Sequence, residues 1–132
     1  MEVIALRGKH DSGKTTTITL IHQLLLQRGY RSVPGFPRRL GRGGDFMDIV
    51  EKGKQRIGLV TRGDIASWLN QDLQTINNAN CQKCVCACRS YGRTVQVVMG
   101  YPHHLFVLKT ISGQSLHGQS NLNDANRIIA IL

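Results

Sequence analysis

Gly8, Gly13, Lys14 and Thr15 stand at the spacing Gly-x-x-x-x-Gly-Lys-Thr within Gly8-Lys9-His10-Asp11-Ser12-Gly13-Lys14-Thr15. Residues of these types in this order grip a polyphosphate. The two glycines allow backbone angles that side chains disfavour, so the chain can curl around an anion. Successive N–H groups from Gly8 through Lys9, His10, Asp11, Ser12 and Gly13 to Thr16 then form a concave nest for phosphate oxygens. Lys14 reaches the terminal phosphates as a point charge, and the Thr15 hydroxyl ligates Mg2+. Asp11 sits inside the loop, where it faces phosphate only across a cation, so it takes no catalytic role. His10 reads as a loop side chain.

A phosphate-transferring site also needs an acid to hold magnesium or its water, and a guanidinium to neutralise the moving charge. Asp64 is the best acid: the apolar run Ile57-Gly58-Leu59-Val60-Thr61-Arg62-Gly63 delivers it near the carboxyl edge of a sheet. It has an equally weighted reading as the cap of the helix that follows. Arg38, with Arg39 and Arg42, lies on a Pro- and Gly-rich stretch read as a long, mobile, positively charged loop. Arg62, Arg89 and Arg93 are rivals at strand ends.

Cys81, Cys84, Cys86 and Cys88 invite a metal reading, but the last three alternate along a strand. Their α-carbons are then strung about 6.6 Å apart on one face, which does not converge on a single ion. Buried small thiols fit the pattern better. His103, His104 and His117 read as surface residues.

The elements that must position these groups follow from periodicity. A strand is predicted over 2–6 and a helix over 14–27, with Ile18, Ile21, Leu24 and Leu25 at helical spacing. Residues 30–33 form a short strand; 45–51 and 55–61 form a hairpin around Lys52-Gly53-Lys54. A second helix starts near Asp64. Strands follow at 81–89 and 105–111, with 94–99 open between helix and strand. A polar loop is expected over 112–121, then a terminal helix over 122–132 capped by Asn123 or Asp124. This alternation predicts a single α/β domain over 1–132: a three-layer sandwich on a mainly parallel sheet, with the hairpin inserted.

The formal charge of +9 favours anionic partners: nucleotide, nucleic acid or an acidic protein surface. No run approaches the ~20 apolar residues of a membrane span, and the chain enters its first strand without a targeting segment. A cytoplasmic location with reduced cysteines is expected.

The stretch GKHDSGKTTT resembles the Walker A loop of small P-loop ATPases and nucleotide kinases of bacteria and their phages. The first thirty residues carry the likeness, and the remainder is similar in outline only. The resemblance implies a P-loop fold, bound ATP and magnesium, and contacts from Gly8, Gly13, Lys14 and Thr15. No Asn-Lys-x-Asp element is present, which favours ATP over GTP. An apolar run ending in Asp-Glu is also missing, and the chain is short for the lids of standard nucleoside monophosphate kinases. An ATPase or small phosphotransferase, with Lys14, Asp64 and Arg38 as catalytic groups, therefore stands beside a second expectation. In that one, ATP orders the basic loop for docking to nucleic acid or an acidic partner. A cysteine-based redox or metal sensor is the weakest reading.

Overall fold

The computed structural model describes residues 1–111 and 116–132. In chain order its elements are β1 (Glu2–Arg7), α1 (Lys14–Gln27), β2 (Arg31–Ser32), β3 (Arg38–Arg39), β4 (Phe46–Lys52) and β5 (Gln55–Val60). There follow α2 (Ala66–Asn78), β6 (Lys83–Cys88), α3 (Arg93–Met99), β7 (His104–Leu108) and α4 (His117–Ile129).

The strands form one mixed sheet in the order β2-β4-β5-β6-β1-β7, with β3 also pairing β4. β5, β6, β1 and β7 are mutually parallel, so their loops toward the helices share one carboxyl edge. β4 is antiparallel to β5, β2 and β3, and so runs against every other described strand.

Helices on both faces bury the central strands twice, which is why those strands read as continuous apolar runs. Side chains alternate between the faces. Val3 and Ala5 join Leu69, Leu73 and Ile76 of α2 and Val95 and Val98 of α3. Ile4 and Leu6 join Ile18, Ile21 and Leu25 of α1 and Ala125, Ile128 and Ile129 of α4. The layers are helix, sheet, helix. No described helix is long and apolar enough to cross a membrane.

Several expectations are corrected. The stretch read as a mobile loop contains β3, where Arg38 pairs with Met47 and Arg39 with Phe46. Asp64 does not cap α2, whose N-cap is Ile65. The 94–99 segment, open between helix and strand from the sequence, is helical: packing of Val95 and Val98 on the sheet overrides the strand preference of valine. α4 begins at His117, well before 122. Neither Asn123 nor Asp124 caps it: Asp124 is mid-helix and buried against Lys109, whose Nζ donates to Oδ2 at 2.8 Å. Residues 112–115 of the expected polar loop lie outside the described residues.

Cys84, Cys86 and Cys88 do point to one face, and with Cys81 they are free, buried thiols in the α2/α3 core. Burial pushes Cys81 and Cys88 up to about 11 and Cys84 and Cys86 well above the ordinary thiol value. Thiols so held stay protonated and inert. Among the described residues no cluster of His, Cys, Asp or Glu is arranged to hold a metal ion.

Candidate functional site

β1 ends at Arg7, and the chain turns over the carboxyl edge before α1 starts at Lys14. Asp11 (φ 58°) and Gly13 (φ 92°) take left-handed backbone in this turn. Gly8 does not; its requirement is space, since a Cβ there would lie 2.9 Å from both Lys109 Cβ and Ser12 Oγ. A Cβ on Gly13 would also lie 2.6 Å from Asn121 Oδ1. The loop is thus wedged between its own curl and the last strand and helix of the chain. Thr17 fastens the start of α1, donating to Gly13 O at 2.8 Å and to Asn121 Oδ1 at 3.3 Å.

Lys14 Nζ is drawn back into the curl and donates to Gly8 O and Lys9 O, each at 2.7 Å. Burial lowers the Lys14 ammonium below its ordinary pKa, and the Asp64 carboxylate offsets part of that shift. Ser12 Oγ is buried with no hydrogen-bond partner among the described residues. A hydroxyl orphaned in this way carries a penalty of about 1–3 kcal/mol, which a ligand oxygen would remove. The concave loop at a helix N-terminus, the orphaned hydroxyl and the withdrawn ammonium fit a phosphate chain.

The loop forms one wall of a cleft of ≈ 420 Å³. Of the sequence-derived candidates, His10, Asp11, Ser12, Gly13, Lys14, Thr15, Thr16 and Asp64 line it. Gly8 and Lys9 back the curl through the carbonyls that hold Lys14. Asp64 faces His10, with Oδ2 at 3.3 Å from Nδ1.

Arg38 does not line this cleft. Its guanidinium stacks 4.3 Å over the Phe36 ring, and it borders a separate cavity with His22. Arg62 does reach the cleft but is committed: Nε and Nη2 donate to Asp72 at 2.8 and 3.0 Å, and the group stacks on Trp68. Arg89, by contrast, is close enough for its charge to lower the Lys14 pKa. Its guanidinium has no ion-pair partner among the described residues.

Sequence reasoning missed Asp45, Thr61, His117 and Asn121, which also line the cleft. Asp45 Oδ1 accepts from Thr61 Oγ1 at 2.8 Å and lies 3.5 Å from Thr15 Oγ1. It is therefore an acid within reach of the hydroxyl expected to hold magnesium. Its place just after Gly43-Gly44, at the mouth of β4, was a usable signal hidden by reading it as strand. Asn121 left no local signal, because its contact with Thr17 spans 104 positions. Thr15, Asp45 and Asp64 are the oxygen donors that could hold a hard divalent cation here.

Compared with known proteins, the chain matches no family model, no curated protein and no solved structure.

Proposed function

We propose that this chain is a small ATP-binding protein of P-loop type that hydrolyses or transfers the γ-phosphate with magnesium. The observation that carries this reading is the curled 8–15 loop, with Lys14 Nζ withdrawn onto its own carbonyls and Ser12 Oγ buried without a partner. Both groups are placed to exchange internal or missing contacts for phosphate oxygens. Backbone N–H groups of the loop bind the phosphates, Lys14 neutralises their charge, and the start of α1 adds its dipole. Thr15, Asp45 and Asp64 would hold the metal, which when bound draws charge from the phosphate oxygens. Arg89, whose charge acts on Lys14 and which has no ion-pair partner among the described residues, supplies a guanidinium close to the loop, and Arg38 borders the neighbouring cavity.

Calorimetric titration with ATP, with and without Mg2+, tests the reading. Saturable binding that tightens with Mg2+ and fails in Lys14→Ala is the expected result. No heat and no rise of the thermal midpoint at millimolar Mg-ATP would overturn it.

A second reading is favoured by one surface. Ile65, Trp68 and Tyr91 are exposed large side chains beside the cleft, and Ile65 and Tyr91 share a depression with Arg89 and Arg93. Exposed rings among arginines suit stacking on unpaired bases, in keeping with the charge of +9. In that case nucleotide binding controls docking to nucleic acid with little turnover, and salt-sensitive retention of single strands by the ATP-loaded protein is its mark.

A further inference from the structure

β7 closes the sheet at one side, and among the described residues β1 is its one strand partner. The hydrogen bonds at the two ends of that pairing fix which way its main chain points. Val3 N donates to His103 O at 2.9 Å, and Lys109 N donates to Arg7 O at 2.8 Å. Main-chain groups alternate sides along a strand, so residues 103, 105, 107 and 109 turn inward to β1. His104, Phe106 and Leu108 therefore turn both N–H and C=O outward, where no described strand receives them.

The opposite edge of the sheet is blunted. β2 and β3 are two residues each and carry Arg31, Arg38 and Arg39, all exposed. Short edge strands bearing charge keep a sheet from pairing with another chain. β7 has neither protection. It runs five residues, His104–Leu108, without a Lys, Arg, Asp or Glu. The next residue, Lys109, is turned inward: its side chain is 1% exposed, and Nζ lies 2.8 Å from Asp124 Oδ2. The faces of the strand are open as well. Val107 is its one buried residue, while Leu105 is 45% and Leu108 66% exposed. By register, His104, Phe106 and Leu108 share the face of Val3 and Ala5, and Leu105 and Val107 share that of Ile4 and Leu6.

We propose that two copies of this chain join edge to edge through β7, antiparallel, about a two-fold axis at Phe106. That axis sets Phe106 opposite itself and His104 opposite Leu108 of the second copy. Each such pair exchanges both of its N–H···O bonds, so every outward group of the strand is satisfied. Leu105 then lies opposite Val107 of the second copy, which covers apolar surface on the other face. The contact is isologous, so assembly closes at two. Charge selects a second copy as the occupant. The chain carries +9, and two copies repel over most of their surfaces. From Met99 to Ile111 the one Lys, Arg, Asp or Glu is Lys109, already paired. Two copies can meet there without opposing charges, whereas a polyanion or acidic peptide finds no free ammonium or guanidinium to hold it. One strand pair buries less than the roughly 800 Å² a side of a standard interface, so the dimer depends on concentration. Antiparallel pairing points the two carboxyl edges in opposite directions, so each phosphate cleft stays open. The proposal does not rest on the nucleotide reading.

Sedimentation equilibrium of the full chain without nucleotide, from about 5 to 500 µM, should show monomer and dimer in reversible exchange. Hydrogen exchange read by NMR then locates the contact. The amides of His104, Phe106 and Leu108 should exchange at least tenfold more slowly at the highest concentration than at the lowest. Those of Leu105 and Val107, bonded to β1 in either state, should change little. Leu108→Pro removes an outward N–H and no bond to β1. Leu105→Lys/Leu108→Lys puts two ammonium groups on exposed positions of the same strand. Both variants should remain monomeric throughout, with the wild-type thermal midpoint at low concentration; if the proline unfolds the chain, the lysine pair decides. A monomer at every concentration, which leaves the edge to a strand of another protein, would overturn the proposal. So would a dimer that the lysine pair leaves intact, or equal exchange of the three amides at both ends of the range.

Discussion

Two stretches of this chain look reactive on paper, and they end up side by side with opposite fates. The 8–16 loop follows β1, the Cys81–Cys88 stretch runs into β6, and Arg7 of one pairs with Cys88 of the other. The loop leaves the sheet at its carboxyl edge, where an ammonium folded back on carbonyls and an orphaned hydroxyl face a cleft. The cysteines stay within the sheet, sealed by α2 and α3 and held as thiols. Residue type supplied reactivity to both. Water access and ungiven hydrogen bonds kept it in one and removed it from the other.

The hardest blow to that contrast is Lys14→Ala. We expect at least a hundredfold loss of Mg-ATP affinity, about 3 kcal/mol, by calorimetry; a loss under tenfold would mean the loop is not the grip. Cys86→Ser plants a hydroxyl without a guaranteed partner in the core. Urea unfolding should fall by about 2 kcal/mol with Mg-ATP affinity unchanged within about twofold, and a changed affinity would make the strand part of the site. Asp45→Asn should weaken ATP about tenfold, roughly 1.4 kcal/mol, only when Mg2+ is present. An equal loss in excess chelator would remove Asp45 from the metal.

A subtler check concerns the support behind the loop. Burial alone would raise the Asp124 carboxyl, but donation from Lys109 and Thr110 and the Lys109 charge hold it below its ordinary value of 3.8. The folded state thus binds this proton less readily than the unfolded chain. Its stabilisation is complete above 3.8 and fades as pH falls through the depressed value. Thermal midpoints of wild type should drop more steeply below that point than those of Asp124→Asn. The mildest expectation is chemical: with Cys81 and Cys88 raised to about 11, a thiol reagent at neutral pH should label the native chain far more slowly than the urea-unfolded one. Fast labelling of the folded protein would put the cysteines back among reactive groups.

How much could be read beforehand differs sharply along the chain. The helix over Lys14–Gln27 and the hairpin of Phe46–Lys52 and Gln55–Val60 were legible, because period and turn chemistry are local. So was the single face shared by Cys84, Cys86 and Cys88. The terminal helix was misjudged at its start because His117, Gly118, Gln119 and Ser120 carry no apolar periodicity, and the helix is docked by Asn121 against Thr17, 104 positions away, and by Asp124 against Lys109. Arg38 was expected at the phosphates and lies instead on a short strand beside another cavity.

The sequence by itself determined the curl, the lysine and the hydroxyl at its end, since glycine spacing and a helix start act over a few residues. Only the tertiary structure decided that Asp45 reaches Thr15, that Arg62 is committed to Asp72, and that Asp48 holds His22 beside a second pocket. Those are distances between elements brought together by burying two apolar faces of one sheet. A linear pattern carries the drive for that burial but not the positions it produces.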